Sequence, residues 1–291
     1  MWNLCYRNLL LYFRNKSEVF FSLLGALISF ILYVAFLQDT IAGDWKNFPG
    51  HTEFLDLWLI GGTLGITAIT TTLSSLSQRV EDHERNTDND FLLTGASHFQ
   101  LDFGYVLSAA IIGFVMQIIV FGVMFLYFYL VDDLTLPLAK VGLLVLLMVL
   151  GSLLNSVVNA VIMIFVHNRN TLSAVSTVVG TVSGFLVGAY IPLGILPDFA
   201  QFFVKLTPGA YVSSLYRQVL LDDSLQKFFS VGTKRAQFSE QMGIQLKWGK
   251  LLNYERSIII IIVLFVAFLL FLFIIEYLLN FRKTKRTLDV G

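Results

Sequence analysis

The chain has 291 residues, with twenty basic and twenty acidic side chains and one cysteine; 56% of it is hydrophobic and 14% charged, and the mean hydropathy is +0.73. An ordinary soluble domain carries about 25% charged residues, so a soluble fold is excluded, and zero net charge leaves no basic surplus for nucleic acid. Cys5 alone excludes an intrachain disulfide and a cysteine-based zinc site; a polytopic membrane protein remains.

Residues 1–16 put Trp2, Cys5, Tyr6, Leu9 and Phe13 on one helical face and Asn3, Arg7 and Arg14 on the other. That pattern predicts an interfacial helix, with a break over Arg14–Glu18 before the first span. A span needs about 20 apolar residues, and six runs supply them: 19–37, 57–76, 105–131, 141–166, 172–196 and 258–279. The fifth is interrupted near its end by Pro192, and the sixth carries one charge, Glu276, close enough to Arg282 and Lys283 to snorkel to the interface. Backbone amides in lipid must be bonded within their own segment, and no stretch alternates with period two, so the spans are helices.

The connections are unequal. Residues 77–104 form a long polar loop, the turn around His167–Asn170 is short, and 192–257 is the largest non-spanning segment. Pro192, Pro197 and Pro208 interrupt its first part, Phe199, Phe202, Phe203 and Leu206 make an apolar stripe, and Thr207-Pro208 reads as a helix start. Two short amphipathic helices dipping back towards the bilayer are expected there, followed by a polar stretch. With the N-terminus inside, cytoplasmic segments hold ten Lys and Arg, and the two short outer loops hold Lys46 and Lys140. Both termini are therefore expected in the cytoplasm.

This order of elements resembles the membrane subunit of ABC-2 type transporters, the group that includes daunorubicin-resistance and lantibiotic-immunity permeases. The sequence support lies in Arg79 to Ser97, a charged helix ending in Phe91-Leu92-Leu93-Thr94, and in Gly188 to Arg217, with Gly-x-x-x-Pro, Leu-Pro, Thr-Pro and a closing arginine. Asn86 stands where the family often has glycine, and Gly95 where proline is common. The resemblance implies an all-α, six-span plasma-membrane protein with an interfacial first helix and an extracellular re-entrant element before the last span. It also implies two copies of a separate ABC ATPase, which hold the ATP and Mg, under two copies of this subunit. The whole chain, 1–291, reads as one transmembrane domain.

No G-x-x-x-x-G-K-[ST] occurs, so no phosphate-cradling loop belongs to this chain. No catalytic site, metal site or cofactor of its own is expected. His83-Glu84 lacks a second histidine four residues after the first, and the other histidines fall in separate loops. A membrane enzyme would need a nucleophile–base pair or a metal cluster, and a channel a charged or carbonyl-rich filter. The reading is an exporter of a hydrophobic or amphipathic compound such as a drug, antibiotic, toxin or peptide. Alternatives are export of a lipid-linked glycan and a non-transporting immunity protein.

Four sets of residues are singled out. Arg79, Glu81, Asp82, Glu84, Arg85 and Asp88, with Phe91 and Leu92 as an apolar plug, are expected to couple to the ATPase. Thr63, Thr67, Thr70 and Ser74 recur along one face of the second span; with Thr177 and Phe185 they are candidates for a substrate path, packing being the equal alternative. Ser173, Gly180, Gly184 and Gly188 form a small-residue strip suited to a dimer seam. Pro192, Pro197 and Pro208 are the expected extracellular gate.

Overall fold

The computed structural model describes residues 2–37, 51–135, 138–228 and 232–289. The helices are α1 (Trp2–Arg14), α2 (Lys16–Ser22), α3 (Leu24–Leu32, followed by a π turn, Tyr33–Leu37), α4 (His51–Glu84), α5 (Thr87–Leu93), α6 (His98–Asp132) and α7 (Leu138–Ile164). They continue as α8 (Arg169–Leu186), a 3-10 turn (Leu193–Ile195), α9 (Asp198–Leu206), α10 (Pro208–Phe228), α11 (Gly232–Gln241) and α12 (Tyr254–Asp289). Lys247–Trp248 and Lys250–Leu251 pair as a minimal antiparallel hairpin.

Among the described residues, α4, α6, α7 and α12 are each long and apolar enough to cross a membrane. A fifth span exists if α2 and α3 are taken together, bent by 47°. The bend is local: Ser22 Oγ turns back to the Val19 carbonyl at 2.8 Å and meets the Tyr12 hydroxyl at 2.7 Å, and Leu23 bonds Phe20 rather than continuing the ladder. The run expected at 172–196 yields a helix of only 18 residues, because the chain turns at Gly188 with φ +63°. Gly188, four positions before Pro192, has already ended it. Much of the loop expected at 38–56, and the side chain of Glu276, lie outside the described residues.

α4 is the axis. Nearly every side chain from Phe54 to Leu76 is buried, enclosed by α3, α6, α7, α8 and α10. So polar a helix can be buried because its buried threonine hydroxyls are satisfied internally. Thr63, Thr67, Thr70, Thr71 and Thr72 each donate to a carbonyl four residues back, at 2.6–3.1 Å. Asn159 of α7 crosses to the Ile69 carbonyl at 2.9 Å and the Thr72 hydroxyl at 2.8 Å. Gln117 of α6 joins Ser152 of α7 at 2.6 Å and accepts from Tyr216 of α10.

The end holding the α4–α5–α6 turns is called basal below, and the end holding the starts of α4, α7 and α12 apical. α1 packs along α6, with Leu4 over Gly104 and Tyr12 clustered with Ile112 and Met116. The expected division of its faces is corrected. Leu4, Cys5, Asn8 and Tyr12 are the buried residues, Arg7 turns inward, and Trp2, Tyr6 and Phe13 stay exposed. An ion pair is the reason, because Asp82 draws Arg7 into the bundle.

Where α6 meets α4 and α7, a Cβ on Gly113 would lie 2.6 Å from Thr72 Cγ2 and 3.3 Å from Ser152 Oγ. Gly113→Val should therefore destabilise the bundle by about 1–3 kcal/mol through overpacking. The measurement is the apparent Tm in detergent. Gly122→Val, whose position has open space around it, should leave Tm unchanged.

Candidate functional site: a basal platform and an apical closure

At the basal end Asp82 is buried and fully bonded. Arg7 reaches both of its oxygens, at 2.7 and 2.9 Å, Tyr105 donates at 2.6 Å and Gln78 at 2.9 Å. Two parallel bonds to a carboxylate give geometric specificity as well as energy. The acid also holds the Arg7 guanidinium above its already high ordinary pKa, so the pair stays charged. Arg7 lies 5.4 Å from the centre of the Phe91 ring, linking α1, α4, α5 and α6 at one point.

Asp82 was expected on a charged docking surface; the structure corrects this by burying it, because Arg7, Tyr105 and Gln78 together replace its water. Other residues of that set are engaged in ion pairs within the chain. Arg79 pairs with Asp102 at 2.6 Å, and Glu81 and Glu84 pair with Arg169 at 3.2 Å each. Glu84 also accepts from the Arg169 backbone at 2.6 Å, tying the α7–α8 turn to the end of α4. Asp88 meets His83 at 2.7 Å. Phe91 and Leu92 are half-buried against the basal apolar cluster. The apolar side chain that does project is Leu93, 86% exposed, with Arg85, Asp90 and Thr94 exposed nearby.

Two backbone positions shape this platform. Asn86 has φ +57° between α4 and α5, a left-handed conformation that glycine adopts freely and asparagine tolerates. Gly95 has φ +86°, which proline cannot reach. Ser97 and Gln100 then form a capping box at the start of α6.

At the apical end the broken end of α8 is closed from inside. Arg217 of α10 is 1% exposed, and its guanidinium donates to the carbonyls of Val187 at 3.0 Å, Gly188 at 2.8 Å and Trp58 at 3.3 Å. It also stacks 4.4 Å from the centre of the Trp58 ring. Gly61 and Gly62 make room for it: a Cβ on Gly62 would lie 2.6 Å from Arg217 Nη2 and one on Gly61 2.8 Å from its Cγ. Trp58 in turn donates to the Met242 carbonyl at 2.7 Å, and Ser214 to that of Ile244 at 2.7 Å, which fastens the polar segment after α10.

Pro192 precedes the 3-10 turn, Pro197 precedes α9 and Pro208 starts α10. α9 is short and amphipathic, with Phe199, Phe202, Phe203 and Leu206 all at least half exposed. The second expected helix is corrected: α10 runs 21 residues and is buried from Ala210 to Leu221, packed on α4, α7 and α12. Thr207 does not cap it; its hydroxyl returns to the Val204 carbonyl of α9 at 2.7 Å. In the sequence Arg217 stands only as the closing residue of a pattern, and the Gly61-Gly62 pair is the local signal for a large side chain close to α4.

The remaining candidates divide between two places. Thr63, Thr67 and Thr70 are buried on α4, and Ser74 donates to Glu18 at 3.0 Å. Ser173, Thr177 and Phe185 are exposed on α8, beside Val178 and Val182, so the two groups do not share a surface. Gly180 has open space, whereas the Tyr190 ring fills the place of a Cβ on Gly184, and Gly188 serves the turn.

The family model of the ABC-2 type transporter matches residues 1–221, about three quarters of the chain and both ends of the site. The protein belongs to that family. It is a membrane component of an ABC transporter, and members of the family normally work with an ABC ATPase. No curated protein and no solved structure matches the chain.

Arg217 makes three carbonyl bonds that a single ammonium cannot reproduce in the same plane. Arg217→Lys should lower stability by about 2–4 kcal/mol, one or two charged hydrogen bonds. It should appear as a fall in apparent Tm and faster proteolysis in the 187–197 segment. An unchanged Tm would show that the cage is dispensable.

Proposed function

We propose that this ABC-2 permease exports a hydrophobic or amphipathic compound with energy from a separate ATPase. The observation that carries the reading is the basal platform: an exposed Leu93 on a short helix that the Arg7–Asp82 clamp braces against three others. Interfaces take affinity from apolar anchors and orientation from charged rims. Leu93 is the anchor in this proposal, Arg85 and Asp90 the rim, and Phe91 and Leu92 its support. Arg79, Glu81, Asp82 and Glu84 keep the surface in shape rather than touching the ATPase. Two ATPase copies and Mg-ATP complete the assembly.

The basal end is assigned to the cytoplasm, since Arg7, Arg79, Arg85 and Arg169 gather there. α8 is the fifth span, in chain order, of the proposed six-span topology. It is too short and too polar to face lipid on every side, which suits a helix covered by a second copy. Its exposed face carries Ser173, Thr177 and Thr181 beside Val178, Val182 and Phe185. Hydroxyls scattered on an apolar wall are what an amphipathic cargo requires. The seam and the path are therefore both placed on α8, with the α4 threonines as the buried wall behind. Pro192, Pro197 and Pro208 delimit the extracellular closure, α9 rests its phenylalanines in the bilayer interface, and a daunorubicin- or lantibiotic-type cargo fits such a path.

Two measurements test this. Leu93→Asp should reduce cargo-stimulated ATP turnover of the assembled transporter about fivefold or more, the loss of one interface anchor, whereas Lys247→Ala at the other end should not. Equal turnover in the two would remove the platform from coupling. A cysteine at Val178, in a Cys5→Ser background, should crosslink two copies in membranes, while one at Val123 on exposed α6 should not. Crosslinking at 123 alone would move the seam.

A further inference from the structure

A cavity opens at the apical end, away from α8. It measures about 400 Å³ and lies between the start of α7, the end of α10, α11 and the start of α12, within the size range of small-molecule clefts. No residue of α3 or α8 lines it, so it is separate from the face assigned above to cargo. Most of its wall comes from residues 222–254, beyond the part of the chain that the family match covers.

Its polar groups fall into two classes. The charged ones are matched with one another: Lys140 with Asp223 at 2.8 Å, and Arg235 with Asp222 at 2.9 Å, whose second oxygen accepts from Gln226 at 2.9 Å. The neutral ones keep spare capacity. Gln218 is 9% exposed; its amide NH₂ donates to Ser214 at 3.1 Å and to Ser257 at 3.4 Å, leaving its carbonyl oxygen without a hydrogen bond among the described residues. The Gln245 side-chain amide and the Tyr254 hydroxyl, both of wall residues, likewise make none among the described residues. Leu143, Val219 and Ile244 supply apolar surface between them.

Gln218 lines the cavity and its carbonyl oxygen has no hydrogen bond among the described residues, so the wall accommodates a ligand hydroxyl that donates there. A charged ligand would disturb one of the short ion pairs, since each cation sits beside a carboxylate that repels an anion and each carboxylate beside a cation. A neutral group with several hydroxyls would break none, and it offers donors to Gln218, acceptors to the Gln245 amide and both to Tyr254, with C–H faces for the apolar patches. We infer that this apical cavity is a binding site for a neutral polyhydroxylated group of sugar-ring size. Its position at the starts of α7 and α12 opens it both to free sugar and to the headgroup of a glycosylated lipid. The inference does not depend on the export reading, because binding here needs neither ATP nor ATPase.

Native mass spectrometry of the full chain in detergent tests it without turnover. The probes are monoglucosyl-diacylglycerol, phosphatidylcholine and phosphatidylglycerol with the same acyl chains, and methyl β-glucoside as competitor. The glucosyl lipid should occupy the protein about fivefold more than the other two. Tyr254→Phe and Gln218→Leu should each remove that preference while occupancy by the two phospholipids stays the same. Should Gln218→Leu fail to fold, Tyr254→Phe, which removes one oxygen, decides. Displacement by methyl β-glucoside identifies the sugar ring alone as the recognised group; preference without displacement identifies the lipid-borne sugar, and either supports the site. Equal occupancy by all three lipids, a preference for either phospholipid, or a glucosyl preference that survives Tyr254→Phe overturns it. Failed transport with preference intact would count against export only.

Discussion

Where α8 breaks, the carbonyls of Val187 and Gly188 lose their helical partners in an interior that water does not reach, and the apical half depends on how they are satisfied. Arg217 does this with three bonds, the third to Trp58 of the central helix. A buried guanidinium without a carboxylate is unfavourable by itself. Here three carbonyl dipoles and the face of an indole replace its water, the latter contributing up to about 2 kcal/mol when desolvated. From that point the linkage runs through Trp58 to Met242 and so to the polar segment after α10. One side chain thus joins the axis, the broken helix and the apical cover.

The axis reaches the opposite end as well. α4 has 34 residues, about 50 Å at 1.5 Å per residue, and carries Trp58 near its start and Asp82 near its finish. A helix so rich in threonine can be enclosed because its buried threonine hydroxyls bond its own carbonyls, leaving methyl groups to pack. The basal clamp and the apical cage are therefore attached to one continuous element. Displacing either would require moving α4 within its sheath of α3, α6, α7, α8 and α10, or breaking its ladder. That geometry gives a permease a rigid link between an ATPase platform and an apical closure.

The platform shows how far residue patterns carry. A charged helix ending in an apolar tip is legible in residues 79–94, and the structure has the α4 tail, the turn at Asn86 and the short α5 there. Pattern alone did not tell which charges face outward. Asp82 and Arg85 look equivalent in sequence, yet the first is buried under Arg7 and the second stays exposed, because only the first faces α1 and Tyr105. Leu93 and Phe91 exchange their expected prominence for the same reason: Phe91 lies beneath Arg7 and against the basal cluster. Gly184 likewise has its small size used within the subunit, by the Tyr190 ring.

By itself the sequence determined the class of molecule, the position of the long apolar helices and the breaks between them. These follow from local quantities: runs of apolar residues, and prolines and glycines that restrict or release φ. Tertiary structure alone decided the direction in which polar side chains point inside the bundle. Thr67 is sealed on α4 while Thr177 is open on α8, although both are threonines in predicted spans with the same carbonyl four residues back to bond. It also decided that Arg217 is a keystone of the broken helix, and that Asp222, Arg235 and Tyr254 line one cavity with the start of α7. Burial depends on which helices surround a given face, and that is a property of contacts between segments distant in the chain, which no local pattern encodes.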